Sequence, residues 1–340
     1  MACPHFGESE TTMNYTSDHY GTVDGIPVSR HRVSTDSFSF SCIDYGCTIT
    51  EIAVPDQLGN MKNVVLALDS LEDYVRHDYY LGCVVGRVAG RIQNGQFTLD
   101  DQTIQLPLND GPNHLHGDHF HKVVWNPSIE RTDDGVTIRF ERSFPHGHHG
   151  YPGNIDVSVE YTITPHTVAI RYEAKTDAPT VMNMTNHTYF NLSGTSLPIS
   201  DHTLQLMSDS FYELDETLIP RRVKSVMTSR AFDFREAKRI EDGLNDTDAQ
   251  LDLAGGFDHP FCLPQTERPQ IDLRHASGRR LSVHTTEPCV VFYSGNMLPN
   301  GLRRTGLCVE TQQAPNLLDP RSVLRPGETY VAATTWTFAP

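Results

Sequence analysis

The sequence predicts an all-β protein built as a large antiparallel β-sandwich with a few short helices. Three observations carry this. Apolar and polar residues alternate with period two in run after run. Helical periodicity is nearly absent. The 24 glycines and 21 prolines are spread between the runs, as turn residues are.

The alternation is clearest at Val157, Val159, Tyr161 and Ile163, with Ser158, Glu160, Thr162 and Thr164 between them. Val168, Ile170, Tyr172 and Ala174 repeat it, as do Val136, Ile138 and Phe140. Near the end it returns at Tyr330, Ala332, Thr334, Trp336 and Phe338. Side chains two residues apart share a face, so each run presents one apolar and one polar side, as in antiparallel sheets rather than βαβ units. The stretch IDLRHASGRRLSV reads as a hairpin turning near Ser277-Gly278. Helical turns are expected only around Leu71–Tyr79 and Arg235–Leu244. Residues 1–15 read as a loosely ordered segment and residues 16–340 as a single domain of two stacked sheets.

Charge narrows the function. Against 27 Lys and Arg stand 43 Asp and Glu, a net charge of −16, and no basic run offsets it. Such a chain repels phosphate backbones and anionic lipid, so neither nucleic acid nor a membrane surface is an expected partner. No apolar run approaches the roughly 18 residues of a spanning helix. The seven cysteines are odd in number and lack a C-x-x-C, which reads as free thiols in a reducing compartment. The polar start MACPHFGESETTMNY shows no secretory signal, so the expected location is the cytoplasm.

Two kinds of chemistry compete for the 17 histidines. The pairs His114/His116 and His119/His121 have the i, i+2 spacing that lets two imidazoles on a strand share a metal. The glycines at 111 and 117 suggest a loop instead, and no third ligand is evident. His146, His148 and His149, in HGHHG, read as a solvated loop. Acid–base chemistry is the second kind. In VMNMTNHTYFNLSG a β-like run is interrupted by Asn, Thr and His187, and buried polar residues must find partners. Glu310 ends the apolar run Leu307-Cys308-Val309, where burial would raise its pKa as an acid or base requires.

These segments together resemble the aldose 1-epimerase (galactose mutarotase) family. The resemblance runs through GRVAGRIQNGQFTLD at 86–100, GPNHLHG at 111–117, YPG at 151–153, TNHTYFNLSG at 185–194, GGFDHPF at 255–261, FYSGN at 292–296 and VETQQAPN at 309–316. It implies the mutarotase-like supersandwich, an open sugar cleft, and interconversion of the α and β anomers of a free aldose without cofactor or metal. It implies Glu310 as general base and His187 as general acid, with Arg91, His116, Tyr189 and Asp258 as sugar contacts. Carboxylate and imidazole would flank the hemiacetal, one taking the O1 proton while the other protonates the ring oxygen.

The family usually has Asn where Gly90 stands and Gln where Val291 stands. Both changes delete a polar contact and imply a roomier cleft, with either a high KM for glucose and galactose or a preference for a larger or differently substituted aldose, such as a reducing disaccharide. A small sugar is the expected partner, and the protein a monomer or weak homodimer. The rival readings are a non-catalytic sugar-binding sandwich, a metal-dependent cupin-type isomerase using the H-x-H pairs, and a hexose-6-phosphate 1-epimerase. The last would want several cations for the phosphate.

Overall fold

The computed structural model describes residues 13–340. The alternating runs form the spine of a nine-stranded antiparallel sheet. In spatial order its strands are Asn126–Arg131, Val136–Phe144, Ile155–Thr164, Thr167–Thr176, Tyr330–Ala339, Arg280–Thr285, Ile271–Arg274, Thr203–Leu206 and Lys238–Arg239. The predicted faces are the observed ones: Val157, Val159, Tyr161 and Ile163 are buried, and so are Tyr330, Ala332, Thr334, Trp336 and Phe338. The hairpin turn lies where expected, Arg274 pairing with Arg280 and Gly278 at φ +95°.

Two five-stranded antiparallel sheets complete the framework. One runs Asn14–Val23, Ile26–Ser34, Ser39–Ile43, Thr48–Pro55 and Met61–Asn63 in chain order. The other, in spatial order, is Pro220–Ser225, Ser210–Leu214, Asp258–Cys262, Cys289–Tyr293 and Cys308–Gln312. The main core draws on all three sheets, from Val33 and Phe40 through Val159 and Phe292 to Trp336. Burying such side chains contributes about 1.5–3 kcal/mol each, the dominant favourable term in the fold.

Helices are short, as expected. Leu71–Arg76 is capped by Ser70, whose hydroxyl oxygen accepts from the Asp73 N–H. In the second predicted region the helix covers only Ile240–Leu244, because Lys238–Arg239 is a sheet strand. Ala249–Ala254 is a further helix that the sequence reading did not foresee. Residues 1–12 lie outside the described residues. The expected loose segment 1–15 therefore meets the structure only at its end, where Asn14 and Tyr15 already belong to a strand. No helix of the described residues is long and apolar enough to cross a membrane.

Candidate active site

Strand alternation builds the floor of a cleft. On Cys308–Gln312, Val309 points into the main core, while Glu310 and Gln312 line the cleft. On Cys289–Tyr293, Val290 and Phe292 are core and Val291 and Tyr293 face the cleft. Asp258 and Pro260 do the same on the next strand. Register then sets Val291 opposite Glu310 and Asp258 opposite Tyr293. The cleft holds about 930 Å³ of empty space, its open mouth included.

His187 comes from a separate segment that side-chain bonds fasten to this floor. Asn183 donates to the Gln313 carbonyl and accepts from the Gln313 N–H, at 3.1 and 2.8 Å. The Thr185 hydroxyl donates to the Thr311 carbonyl at 3.0 Å. Asn186 closes the turn by donating to the Gly82 carbonyl and accepting from the Thr188 N–H and hydroxyl. The polar residues that interrupt this buried run are therefore bolts, each satisfied, and His187 is the one aimed into the cleft. Its Nε2 lies 3.5 Å from Glu310 Oε1, and its Nδ1 is 3.5 Å from Cys308 Sγ. The pair stands side by side on one floor rather than on opposite flanks of the cleft.

Both members are nearly inaccessible, and desolvation shapes their protonation. Burial pushes the Glu310 carboxyl well above its usual range; the nearby Asp258 charge adds to this and Arg91 opposes it. Burial lowers His187 to about 4. Burial thus favours a neutral acid beside a neutral imidazole over the expected carboxylate and imidazolium. Either arrangement holds one proton, and the low-dielectric floor fixes that count.

Arg91 spans two carboxylates. Its Nε donates to Asp110 at 2.6 Å and a terminal nitrogen to Asp258 at 3.3 Å. Burial works against its charge, but Asp258 and Asp110 outweigh that and hold its pKa above the usual value. The other arginine of the GRVAGR segment, Arg87, is fully buried elsewhere, donating to the Pro152 and Gly153 carbonyls and the Thr180 hydroxyl. It ties the YPG segment to the frame.

His116 sits at the cleft edge, its Nδ1 accepting from the Gly90 N–H at 3.2 Å. Burial, His187 and Arg91 hold its pKa well below normal. The ring is therefore neutral with its proton on Nε2, which leaves that nitrogen as a hydrogen-bond donor. Tyr189 packs its ring 5.0 Å from His187. All six sequence-predicted site residues line this one cleft.

Several lining residues were not singled out from sequence, Asp110, Tyr80, Tyr293 and Gln312 among them. Asp110 sits in a turn and shares Arg91. The Tyr80 ring lies 4.7 Å from His116 and 5.6 Å from His187. Tyr293 forms a wall, its hydroxyl oxygen accepting from the Met297 N–H. Gln312 is two residues from Glu310 on the same face, and its buried Oε1 has no partner. Period two could have flagged Gln312 beside Glu310 and Tyr293 beside Val291; nothing local marks Asp110 or Tyr80.

The roomier cleft expected at Gly90 is not found. Gly90 has φ +73°, and a Cβ there would lie 2.7 Å from Pro315 Cβ, so the proline already fills that space. Val291 does present an apolar wall. The H-x-H pairs do not converge. His114 bonds the Pro107 carbonyl through Nδ1 while His116 enters the cleft, and His121 packs against Tyr80 at a tilt while His119 turns toward His148 and His149. In the loop expected to be solvated, His146 is exposed, while His148 and His149 are half-buried against His119.

A family model described as aldose 1-epimerase matches residues 30–337. Galactose mutarotase of Mus musculus is 40% identical over 331 residues, covering 92% of this chain and 94% of the mouse protein. Aldose 1-epimerase of Escherichia coli (strain K12) is 33% identical over 317 residues, covering 87% and 90%. Among solved structures, galactose 1-epimerase from Lactobacillus acidophilus NCFM superposes with a TM-score of 0.87 at 32% identity, covering 97% of this chain and 99% of that one.

Proposed function

The chain belongs to the aldose 1-epimerase family, and on that premise we propose that Glu310 and His187 carry its proton transfers, with Arg91, His116, Tyr189 and Asp258 holding the sugar. The protein is an isomerase that interconverts the α and β anomers of a free aldose. The observation that carries the site reading is the pairing of Glu310 with His187 at 3.5 Å on the cleft floor.

Ring opening takes a proton from O1 and delivers one to O5. These oxygens share carbon C1, so two groups standing side by side suit them better than two facing each other. The pair keeps one proton throughout. In the carboxylate–imidazolium form Glu310 accepts from O1 as His187 donates to O5, and the C1–O5 bond breaks. The aldehyde rotates about C1–C2 and closes on its other face with the roles reversed. A sugar hydroxyl donating to Glu310 stabilises the carboxylate and pulls the proton toward His187. The neutral His116 donates through Nε2, and Asp258, held by Arg91, accepts from hydroxyls. No step calls for a cofactor or a metal.

A sugar phosphate suits the cleft poorly. Arg91 is the one Lys or Arg among the described lining residues, it is already shared by two carboxylates, and Asp78, Asp110, Asp258 and Glu310 make the cavity acidic. A purely binding protein would not need the proton pair. We read residues 16–340 as one domain, because the main core joins strands from both ends of the chain. The six described cysteines are free thiols, which supports a cytoplasmic location; we propose a monomer or weak homodimer.

The test is polarimetry of freshly dissolved α-galactose, α-glucose and a panel of reducing disaccharides. Enzyme should speed the approach to the same final rotation. Rates equal to buffer alone across the panel would overturn the reading.

A further inference from the structure

Outside the cleft, three imidazoles from two loops converge. His119 follows the HLHG segment, and His148 and His149 lie in the turn between the strands Val136–Phe144 and Ile155–Thr164. Ring centroids are 4.5 Å apart for His119–His148, 4.5 Å for His119–His149 and 4.7 Å for His148–His149. One ring nitrogen from each lies within 4.8 Å of the other two. All three residues are partly exposed, so an ion in solvent can reach them.

We propose that His119, His148 and His149 form a binding site for a divalent transition metal such as zinc, nickel or copper, separate from the reaction centre. Three nitrogen donors match the borderline-soft ions of this class and not magnesium or calcium, which take oxygen ligands. Tetrahedral zinc with Zn–N near 2.0–2.1 Å sets its nitrogens about 3.3 Å apart. Modest rotation of partly exposed rings closes the present spacing to that value, and water fills the fourth position. The Phe144 ring, 5.2 Å from His148 and 6.5 Å from His119, backs the cluster with an apolar wall. Arg87 and Arg142 bear on His148 with positive charge and oppose a dication there. Three imidazoles bring no anionic ligand to offset the ion's charge, so the site suits reversible binding rather than a permanent structural ion. A bound ion would tie the turn at 145–150 to the loop that supplies His116.

A second set of donors, His116, His187 and Glu310, is equally close together in the cleft, so the experiment must tell the two apart. Zinc is titrated calorimetrically into the full-length, tag-free protein. The wild type and Glu310→Gln should each bind one equivalent with the same affinity. His119→Gln and His148→Gln should each weaken binding at least about tenfold, as loss of one of three ligands requires. Zinc should raise the Tm of the wild type but not of His148→Gln, while the two melt alike without metal. No saturable binding, binding that both histidine variants retain, or binding that Glu310→Gln abolishes would each overturn the proposal.

Discussion

Glu310 and Glu287 are both buried carboxyls near the same strand pair, with 3% and 5% of their surface exposed. Burial raises both, Glu287 to about 7 and Glu310 well above its usual range. Their surroundings differ. Glu310 faces an imidazole at 3.5 Å and an open cleft. Glu287 sits in the turn before Cys289–Tyr293 with Oε2 unpartnered, between the opposing charges of Arg321 and Asp319. A raised carboxyl is therefore what burial produces anywhere. An imidazole at 3.5 Å and an open cleft beside the pair are what support Glu310, rather than Glu287, as the proposed reaction centre.

The largest expected effect separates the two directly. Glu310→Gln should lower kcat/KM by about 10²–10⁴, the usual contribution of a general acid–base group, and His187→Asn should do likewise. Glu287→Gln should leave the rate unchanged. Equal losses at both glutamates would erase the distinction.

The pH profile sharpens it. Adding a proton to the pair removes its base, and removing the shared proton leaves no acid. The profile of kcat/KM should therefore be bell-shaped, with the acid limb near 4, where His187 titrates, and the alkaline limb set by the raised Glu310. Glu287→Gln should shift neither limb; a profile flat from pH 4 to 9 would argue against the pair.

Stability should respond the other way round. A carboxyl raised on folding stabilises fully below its unfolded value, and that contribution is lost as pH rises through about 7. Glu287→Gln should remove this loss, so its Tm should exceed that of the wild type at pH 8 and the gap should shrink toward pH 5. The distance from the usual carboxylate value sets a ceiling of about 3 kcal/mol. A gap independent of pH would mean Glu287 is not the titrating group.

The smallest effect concerns the wall opposite Glu310. Val291→Gln adds one neutral hydrogen bond, worth about 0.5–1.5 kcal/mol, and should raise kcat/KM for monosaccharides relative to disaccharides several-fold. Unchanged ratios would remove Val291 from substrate choice. Gly90→Asn is a poorer probe, because its Cβ would collide with Pro315.

Much of this was legible in the sequence because both fold and floor obey period two. The same alternation that buries Val159 and Tyr161 sends Glu310 into the cleft and Val309 into the core. Glu310, His187, Arg91, His116, Tyr189 and Asp258 were marked by the motifs that carry the family resemblance. Illegible were contacts that only chain folding creates: Asp110 reaching Arg91 across 19 residues, Tyr80 packed against His116, His121 and His187, and His119 meeting His148. The HLHG and HGHHG segments misled for one reason. Spacing along a loop does not say which rings face each other, and the i, i+2 partners turned apart while residues 29 positions distant met. At Gly90 the sequence showed a missing side chain but not the proline that occupies its place.

The bolts from Asn183 and Thr185 onto the Glu310 strand have a consequence for divergence. They fix Glu310 and His187, the proposed proton carriers, within the sheet framework, whereas Leu218, Met297 and Leu298 reach the cleft from connecting segments. Connecting segments accept substitution and insertion more readily than paired strands do. New substrate preferences can therefore be sampled at the rim while the floor stays constant, and descendants of such a chain would change what they bind long before they change what they do to it.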